Sequence, residues 1–321
     1  MLCAHLEATT DAIIARQLGG GVASTGGRIF DIVLIDPGNE LANRQAITSE
    51  AIPIEAIVSD VGVGEARQWP TNQDLHPQHA ERIKERAITV GFFESAPAIG
   101  PSMVRQTTPY PDWIGSITAI ENKPSLDRPG DLEMQLQRDV SLGLVDAVIL
   151  ATESHVTGAH LNRIPDEVGV WRIHTTGETI TREVVREPTP LDSADWGIEI
   201  GDGSSTTRHI ATVMPSDKEQ ARIQLAERAY GKGWRPSLPH CSRAATACMD
   251  GTKTLPYCQW KDVIIDPVGC TTACPEFDAA PPPPVDLRAE REARTPWIAD
   301  PPGVTRKQAG LTADWERTKS I

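Results

Sequence analysis

Apolar positions along the chain fall into short runs that predict an alternating α/β protein. The first run, LCAHLEATTDAIIARQLGG, sets Leu2, Leu6, Ile13, Ile14 and Leu18 on one side of an amphipathic helix that Gly19-Gly20-Gly21 would end. The run IFDIVLID predicts a buried strand with Asp31 held between Phe30 and Ile32, and Asp36 before Pro37-Gly38 reads as a turn residue. A later apolar run, Ile114 to Ile120, ends in Glu121-Asn122-Lys123. Side chains alternate along a strand, so Glu121 and Lys123 point one way and Asn122 the other. Pro124 ends the strand, Pro129-Gly130 predicts a turn, and Asp131 is placed to cap a helix. In that helix Leu132, Leu136, Val140 and Leu144 recur every four residues. A buried strand over 146–152 completes a strand–helix–strand unit. Strands over 168–173 and 179–186 then meet in a hairpin at Thr176-Gly177. Residues 188–216 read as acidic loop, and 217–234 as a helix polar on most faces.

More chain lies between 51 and 111 than two neighbouring strands need. HPQHAERIKERAITVGFF predicts a helix there and MVRQTTPYP an extended arm. The pair fits a small winged-helix-like unit that would contact a duplex, and equally an insertion packed on the edge of the core. The predicted organisation is a discontinuous core (1–50 and 112–230), an insertion (51–111), a cysteine-bearing segment (231–277) and a Pro-rich spacer and tail (278–321).

Charge complicates any nucleic-acid reading. The chain has 31 Lys and Arg against 44 Asp and Glu, a net charge of −13, and only 8 of its basic residues are Lys. That is the wrong sign for electrostatic attraction to DNA in dilute buffer. Acidic, lysine-poor chains are those that halophilic archaea keep hydrated in molar salt, where the Debye length shrinks to about 3 Å and mutes the repulsion. The absence of a long apolar run or signal peptide adds the expectation of a soluble, cytoplasmic protein.

An acid inside an apolar strand must be paired, ligate a metal or stay protonated. Glu121-x-Lys123 taken alone fits a surface ion pair. Taken with Asp31, and with the Gln135 and Gln137 that flank the apolar stripe of the next helix, it resembles the PD-(D/E)XK nuclease superfamily, most of all its RecB-type and CRISPR-associated exonuclease branches. The resemblance implies an α/β, restriction-endonuclease-like mixed central sheet flanked by helices, and a metal-dependent phosphodiesterase acting on DNA, single-stranded or with free ends. It assigns Asp31 as the first acid, Glu121 as the second and Lys123 as the motif lysine. Gln135 or Gln137 would match the glutamine of a helix motif that usually reads Q-x-x-x-Y, and Glu7 an acid on the first helix that joins the metal site. Phe30 stands where the name-giving proline would be, and Asp139 or Ser141 where the tyrosine would be. Asp31 and Glu121 would hold Mg²⁺ or Mn²⁺, a hard cation that keeps several waters. Such an ion lowers the pKa of a bound water, which a lysine can orient or deprotonate. The overall architecture is also similar to that of a haloarchaeal family, a likeness that brings no substrate with it.

Five cysteines fall at 241, 248, 258, 270 and 274, and the sixth is Cys3. In a cytosolic chain they are expected as ligands rather than disulfides. The same resemblance implies a [4Fe–4S] cluster on Cys3, Cys258, Cys270 and Cys274 that ties the chain's ends together. Cys241 and Cys248 stand open as replacements or as part of a zinc site. His155, His160 and His174 show no ligand spacing, and His5 reads as an ordinary surface residue rather than a ligand. Two other classes stay open: a non-catalytic nucleic-acid-binding protein of the same fold, and a zinc-stabilised scaffold for protein partners.

Overall fold

The computed structural model describes residues 1–23, 27–70, 75–96, 103–127, 130–203 and 207–304. Pro129 of the predicted turn, and the tail from 305 onward, lie outside them. The chain divides into two compact units, one of Met1–Gly38 with Ile114–Ala299, the other of Asn39–Trp113 with Asp300–Ile321.

The first unit opens with helix α1 (Leu2–Thr9), strand β1 (Ile13–Gly19) and strand β2 (Ile29–Pro37). The single long helix expected here is therefore a short helix followed by a strand. The Thr9 and Thr10 hydroxyls donate to the His5 and Leu6 carbonyls at 2.8 Å each, and Thr10 is extended, with φ −140° and ψ 158°. Those bonds compete with the helix ladder, and the β-branched pair Ile13-Ile14 then suits a pleated surface.

The second unit contains α2 (Leu41–Gln45), α3 (Ile54–Ile57), β3 (Arg67–Gln68), α4 (Pro77–Thr89), β4 (Phe93–Ala96) and β5 (Met103–Gln106). Its strands form a small antiparallel sheet in the order β3-β5-β4. Ile83 and Ala87 of α4 pack with Trp69, Phe92, Phe93 and Val104 into a core of its own. Trp69 meets Phe93 edge to face, 5.4 Å between ring centres.

The chain returns to the first unit with β6 (Ile114–Asn122), α5 (Leu132–Leu142), β7 (Ala147–Thr152), α6 (Gly158–Leu161), β8 (Gly169–Thr176) and β9 (Thr179–Arg186). A hairpin of β10 (Gly197–Gly203) and β11 (Arg208–Val213), then α7 (Pro215–Lys232), follow. The hairpin occupies a stretch that reads as loop, and its Ile198 and Ile210 are exposed. Next come β12 (Ala244–Met249), β13 (Thr252–Cys258), β14 (Val263–Ile264) and α8 (Leu287–Arg294). Helix α8 is anchored rather than part of a free tail. Asp286 caps it, and Arg291, 7% exposed, donates to the Ala229, Tyr230 and Gly231 carbonyls and stacks on Trp297.

The first unit is built on a mixed six-stranded sheet, β1-β2-β6-β7-β8-β9, flanked by helices. Strands β1, β2 and β6 run antiparallel in turn, β6, β7 and β8 run parallel, and β9 closes antiparallel to β8. Leu2, Cys3 and Leu6 of α1 pack on one face against Ile14, Ile32, Ile120 and Trp234. Helix α7 lies against β1, β2 and β6, burying Leu225, Ala226, Ala229 and Tyr230 despite its polar composition. Among the described residues no helix is long and apolar enough to cross a membrane.

Candidate active site at the ends of β2 and β6

The antiparallel register pairs Ile32 of β2 with Ile120 of β6, so the strand carrying Asp31 and the strand carrying Glu121 are neighbours. Asp31 is half-buried at the end of the ladder. Its Oδ2 accepts the Asn122 backbone N–H at 3.0 Å, and its Oδ1 accepts the Gln17 side-chain amide at 2.9 Å. Gln17 reaches it from an irregular point of β1, between the pairs Arg16–Ile32 and Leu18–Phe30, with φ +53°. A positive φ on a residue other than glycine is uncommon and bends the strand locally.

Glu121 follows Ile120, whose side chain faces α1, so it points from the opposite face of the sheet. There Arg28 donates from one terminal nitrogen to Glu121 Oε2 at 2.9 Å and to Asp139 Oδ2 at 2.6 Å, and from Nε to Asp139 Oδ1 at 2.7 Å. Asp139 lies four residues after Gln135 in α5, hence on the same helical face, and is 4% exposed. The guanidinium also sits 5.4 Å from the centre of the Phe30 ring. Burial pushes the Glu121 carboxyl above its ordinary range, the Arg28 bond offsets part of the rise, and the Asp31 charge adds to it. Asp139 is raised in the same way, by burial first, against Arg28 and with Asp31 again adding. Burial lowers the Arg28 pKa, but its bonds to the two acids outweigh that and raise it further. Glu121 and Asp139 thus share a single guanidinium, and both feel the charge of Asp31. Sequence reasoning missed Asp139 and Arg28. The signal for Asp139 was its position where the glutamine motif would carry tyrosine.

Lys123 follows directly after β6, and its backbone N–H bonds to the Ala151 carbonyl at 2.9 Å. Its amine has no hydrogen-bond or ion-pair partner among the described residues. Gln135 is half-buried on α5, whereas Gln137 is exposed and bonds Ser141 at 3.1 Å. Glu7 is not part of this group. Its carboxylate, on the α1 face, accepts two bonds from Arg235 at 2.9 and 2.7 Å, one from Arg294 at 3.0 Å and one from the Trp234 indole at 3.0 Å. Two guanidiniums already saturate it, so it ties α1 to the C-terminal segment rather than facing a metal.

A cleft of about 300 Å³ opens beside Asp31, lined also by Arg16, Gln17, Asn122 and Trp234. Cations gather along β1 next to it. Lys232 donates to the Gln17 carbonyl at 2.9 Å, and its pKa is lowered by burial and by the charges of Arg228 and Arg16. In a chain of net charge −13, Arg16, Arg228 and Lys232 form a local cluster of cations at β1.

Carboxylate oxygens suit a hard divalent cation. Asp31 and Glu121 supply them from adjacent strands, and Glu121 Oε1 bears no bond among the described residues. The residues therefore fit Mg²⁺ or Mn²⁺ in donor type, with Arg28 as a competing cation. Among the described residues no three His, Cys, Asp or Glu side chains already converge at ligand spacing. The cysteines lie in two settings. Cys3 lies in the α1 core, where burial pushes its thiol up to about 11 against the charges of the N-terminus and Arg16. The thiol pKa of Cys270 is raised by burial first and then by its neighbours Cys241, Cys258 and Cys274.

Over residues 13–279 the chain matches the family described as "Family of unknown function (DUF5787)", and it belongs to that family. Neither a curated protein nor a solved structure shows a match to the chain.

Proposed function

We propose that this protein is a metal-dependent phosphodiesterase of the PD-(D/E)XK type, cleaving DNA in repair, recombination or defence. The observation that carries the reading is the adjacency of the Asp31 strand and the Glu121-x-Lys123 strand, with α5 and the parallel strand β7 following in the expected order. In this reading the sheet is restriction-endonuclease-like and Asp31 and Glu121 would hold the metal. When bound, the ion would lower the pKa of a water and neutralise charge on the scissile phosphate.

The chain's own residues would do the rest. Lys123, a compact cation without a partner among the described residues, orients or deprotonates the attacking water. Gln17 and the Asn122 N–H fix the Asp31 carboxylate in place. Asp139 holds Arg28 by two bonds and so governs how firmly the guanidinium pairs with Glu121. Arg16, Arg228 and Lys232 offer cations to the phosphate backbone beside the acids, which high salt would weaken but not reverse. The test is cleavage of single-stranded, duplex and flapped DNA with Mg²⁺ or Mn²⁺ in high-potassium buffer.

One observation favours a second reading. Glu121 already has a buried cationic partner in Arg28, as a structural acid would. A non-catalytic nucleic-acid-binding protein of the same fold would show metal-independent DNA binding and no cleavage.

A further inference from the structure

In the C-terminal part of the first unit the chain comes back to the neighbourhood of Cys241 at Cys258 and again at Ala279, with Cys270 and Cys274 on the segment between. Cys241 precedes β12, and its carbonyl accepts the Ala244 N–H at 2.9 Å. Ala244 pairs across the hairpin with Cys258, the last residue of β13. The chain turns there, with the Cys258 carbonyl accepting the Asp262 N–H at 2.8 Å and Gln259 bonding back to Arg243 at 2.9 Å. After β14, Asp266 caps a single 3₁₀ turn over 267–269 that delivers Cys270, whose N–H bonds the Pro267 carbonyl at 3.0 Å. Cys274 follows in a turn closed by Phe277 at 3.1 Å, and the chain then bridges Ala279 to Cys241, with the Ser242 N–H on the Asp278 carbonyl at 2.7 Å. The path that leaves Cys241 therefore ends beside it.

The segment from 259 to 279 holds this path without a core. It has no buried residue, and Trp260, Val263 and Val268 are exposed. Met249 and Leu255 anchor the hairpin in the core under α1, and within 259–279 the half-buried Ile264 packs against that core. So small an element rarely supplies enough apolar burial to stand alone, and natural ones add a metal or disulfides. All six cysteines here are free thiols.

We propose that Cys241, Cys258, Cys270 and Cys274, which do not stand at ligand spacing without the ion, are drawn by one zinc ion into a tetrathiolate site that fastens this knuckle, with Cys3 and Cys248 outside it. Zinc takes four thiolates tetrahedrally at about 2.3 Å each, which sets neighbouring sulfurs about 3.8 Å apart. Cys241 and Cys270 act on each other's ionisation, as thiols gathered around one small ion would. Binding releases the thiol protons and couples the ion to local folding. The site is independent of the phosphodiesterase reading.

The test uses full-length protein purified anaerobically with reductant, supplied with zinc alone, and measured for bound metal by elemental analysis. One zinc per chain is expected, lost in Cys241→Ser and in Cys270→Ser and kept in Cys3→Ser and Cys248→Ser. Removing the zinc with a chelator should speed proteolytic cleavage within 259–279 at least about tenfold, as expected when metal loss unfolds the segment. Full zinc retained in Cys241→Ser, loss of zinc in Cys3→Ser, or iron with acid-labile sulfide in zinc's place would each overturn the assignment. A Cys241–Cys270 disulfide in the reduced protein would do so too. Should a serine variant fail to fold, cobalt(II) added to the wild-type protein reports directly. Intense sulfur-to-cobalt charge transfer with tetrahedral visible bands is expected, and a weak octahedral spectrum would overturn the site.

Discussion

Arg28 grips Asp139 with two hydrogen bonds, Nε to Oδ1 at 2.7 Å and a terminal nitrogen to Oδ2 at 2.6 Å, across 111 residues of sequence. The same terminal nitrogen reaches Glu121 at 2.9 Å. One guanidinium thereby compensates two buried acids that sit beside a third, and everything proposed for the site depends on that balance.

Removing the guanidinium leaves Glu121 and Asp139 buried without a counter-charge. Arg28→Ala should cost about 3–5 kcal/mol of stability, the usual penalty for breaking a buried pair from one side. Because the two groups share one interaction, Arg28→Ala with Asp139→Ala should cost less than the sum of the single changes, by about 0.5–3 kcal/mol. Denaturant unfolding of the four proteins of this cycle measures it, and strict additivity would mean the pair carries no coupling.

The pH dependence has two opposite parts. Glu121 and Asp139 hold their protons to higher pH folded than unfolded, so their contribution to stability falls as pH rises from the ordinary carboxylate range through the raised folded values. Carbon-detected titration of the two carboxyls should place both midpoints above the ordinary values of about 4. Asp146 is the reverse case. Burial pushes it up, but Arg222 at 2.7 Å, the Ile117 N–H at 2.7 Å and Ser193 at 3.0 Å outweigh this and hold it below its ordinary value. Its contribution is present above the unfolded pKa and is lost as pH falls through the lowered folded value. Asp146→Asn should therefore cost about 1.5–3 kcal/mol near neutral pH and progressively less in acid.

Glu7 is expected to matter for stability and not for chemistry. Its carboxylate is fully enclosed and binds Arg235, Arg294 and Trp234, which joins α1 to residues more than 220 positions away. Glu7→Gln should lower stability by about 3 kcal/mol by leaving two guanidiniums under-compensated. Any metal-dependent activity should persist at temperatures where the variant is folded. Activity lost from a demonstrably folded Glu7→Gln protein would return Glu7 to the site.

Much of the sheet was legible because its patterns are local. IFDIVLID, the run into Glu121, and the every-fourth Leu132, Leu136 and Val140 of α5 each carry one period over their whole length. At the N-terminus Leu2, Leu6, Ile13, Ile14 and Leu18 fit a helical stripe equally well, and only the Thr9 and Thr10 hydroxyl bonds end the helix early. The β10–β11 hairpin escaped notice because Ile198 and Ile210 lie exposed among Gly, Asp and Thr, with no apolar face to give a period. Arg28 and Asp139 could be read only as isolated charges until the fold brought them together across 111 positions. The same holds for Glu7, whose partners Arg235 and Arg294 lie 228 and 287 positions away. For Cys241 the deciding relation was the bridge to Ala279, which no spacing rule contains.

The most direct measurement is DNA cleavage by wild-type protein, Glu121→Ala and Lys123→Ala, with Mg²⁺ or Mn²⁺ and with chelator, in high-potassium buffer. The account predicts metal-dependent cleavage by the wild type, at least about a hundredfold reduced in each variant, the scale usual for losing a catalytic proton-transfer group. Both variants and the wild type should unfold cooperatively. Undiminished cleavage by both variants, or no cleavage of any DNA substrate by metal-loaded wild-type protein, would contradict it.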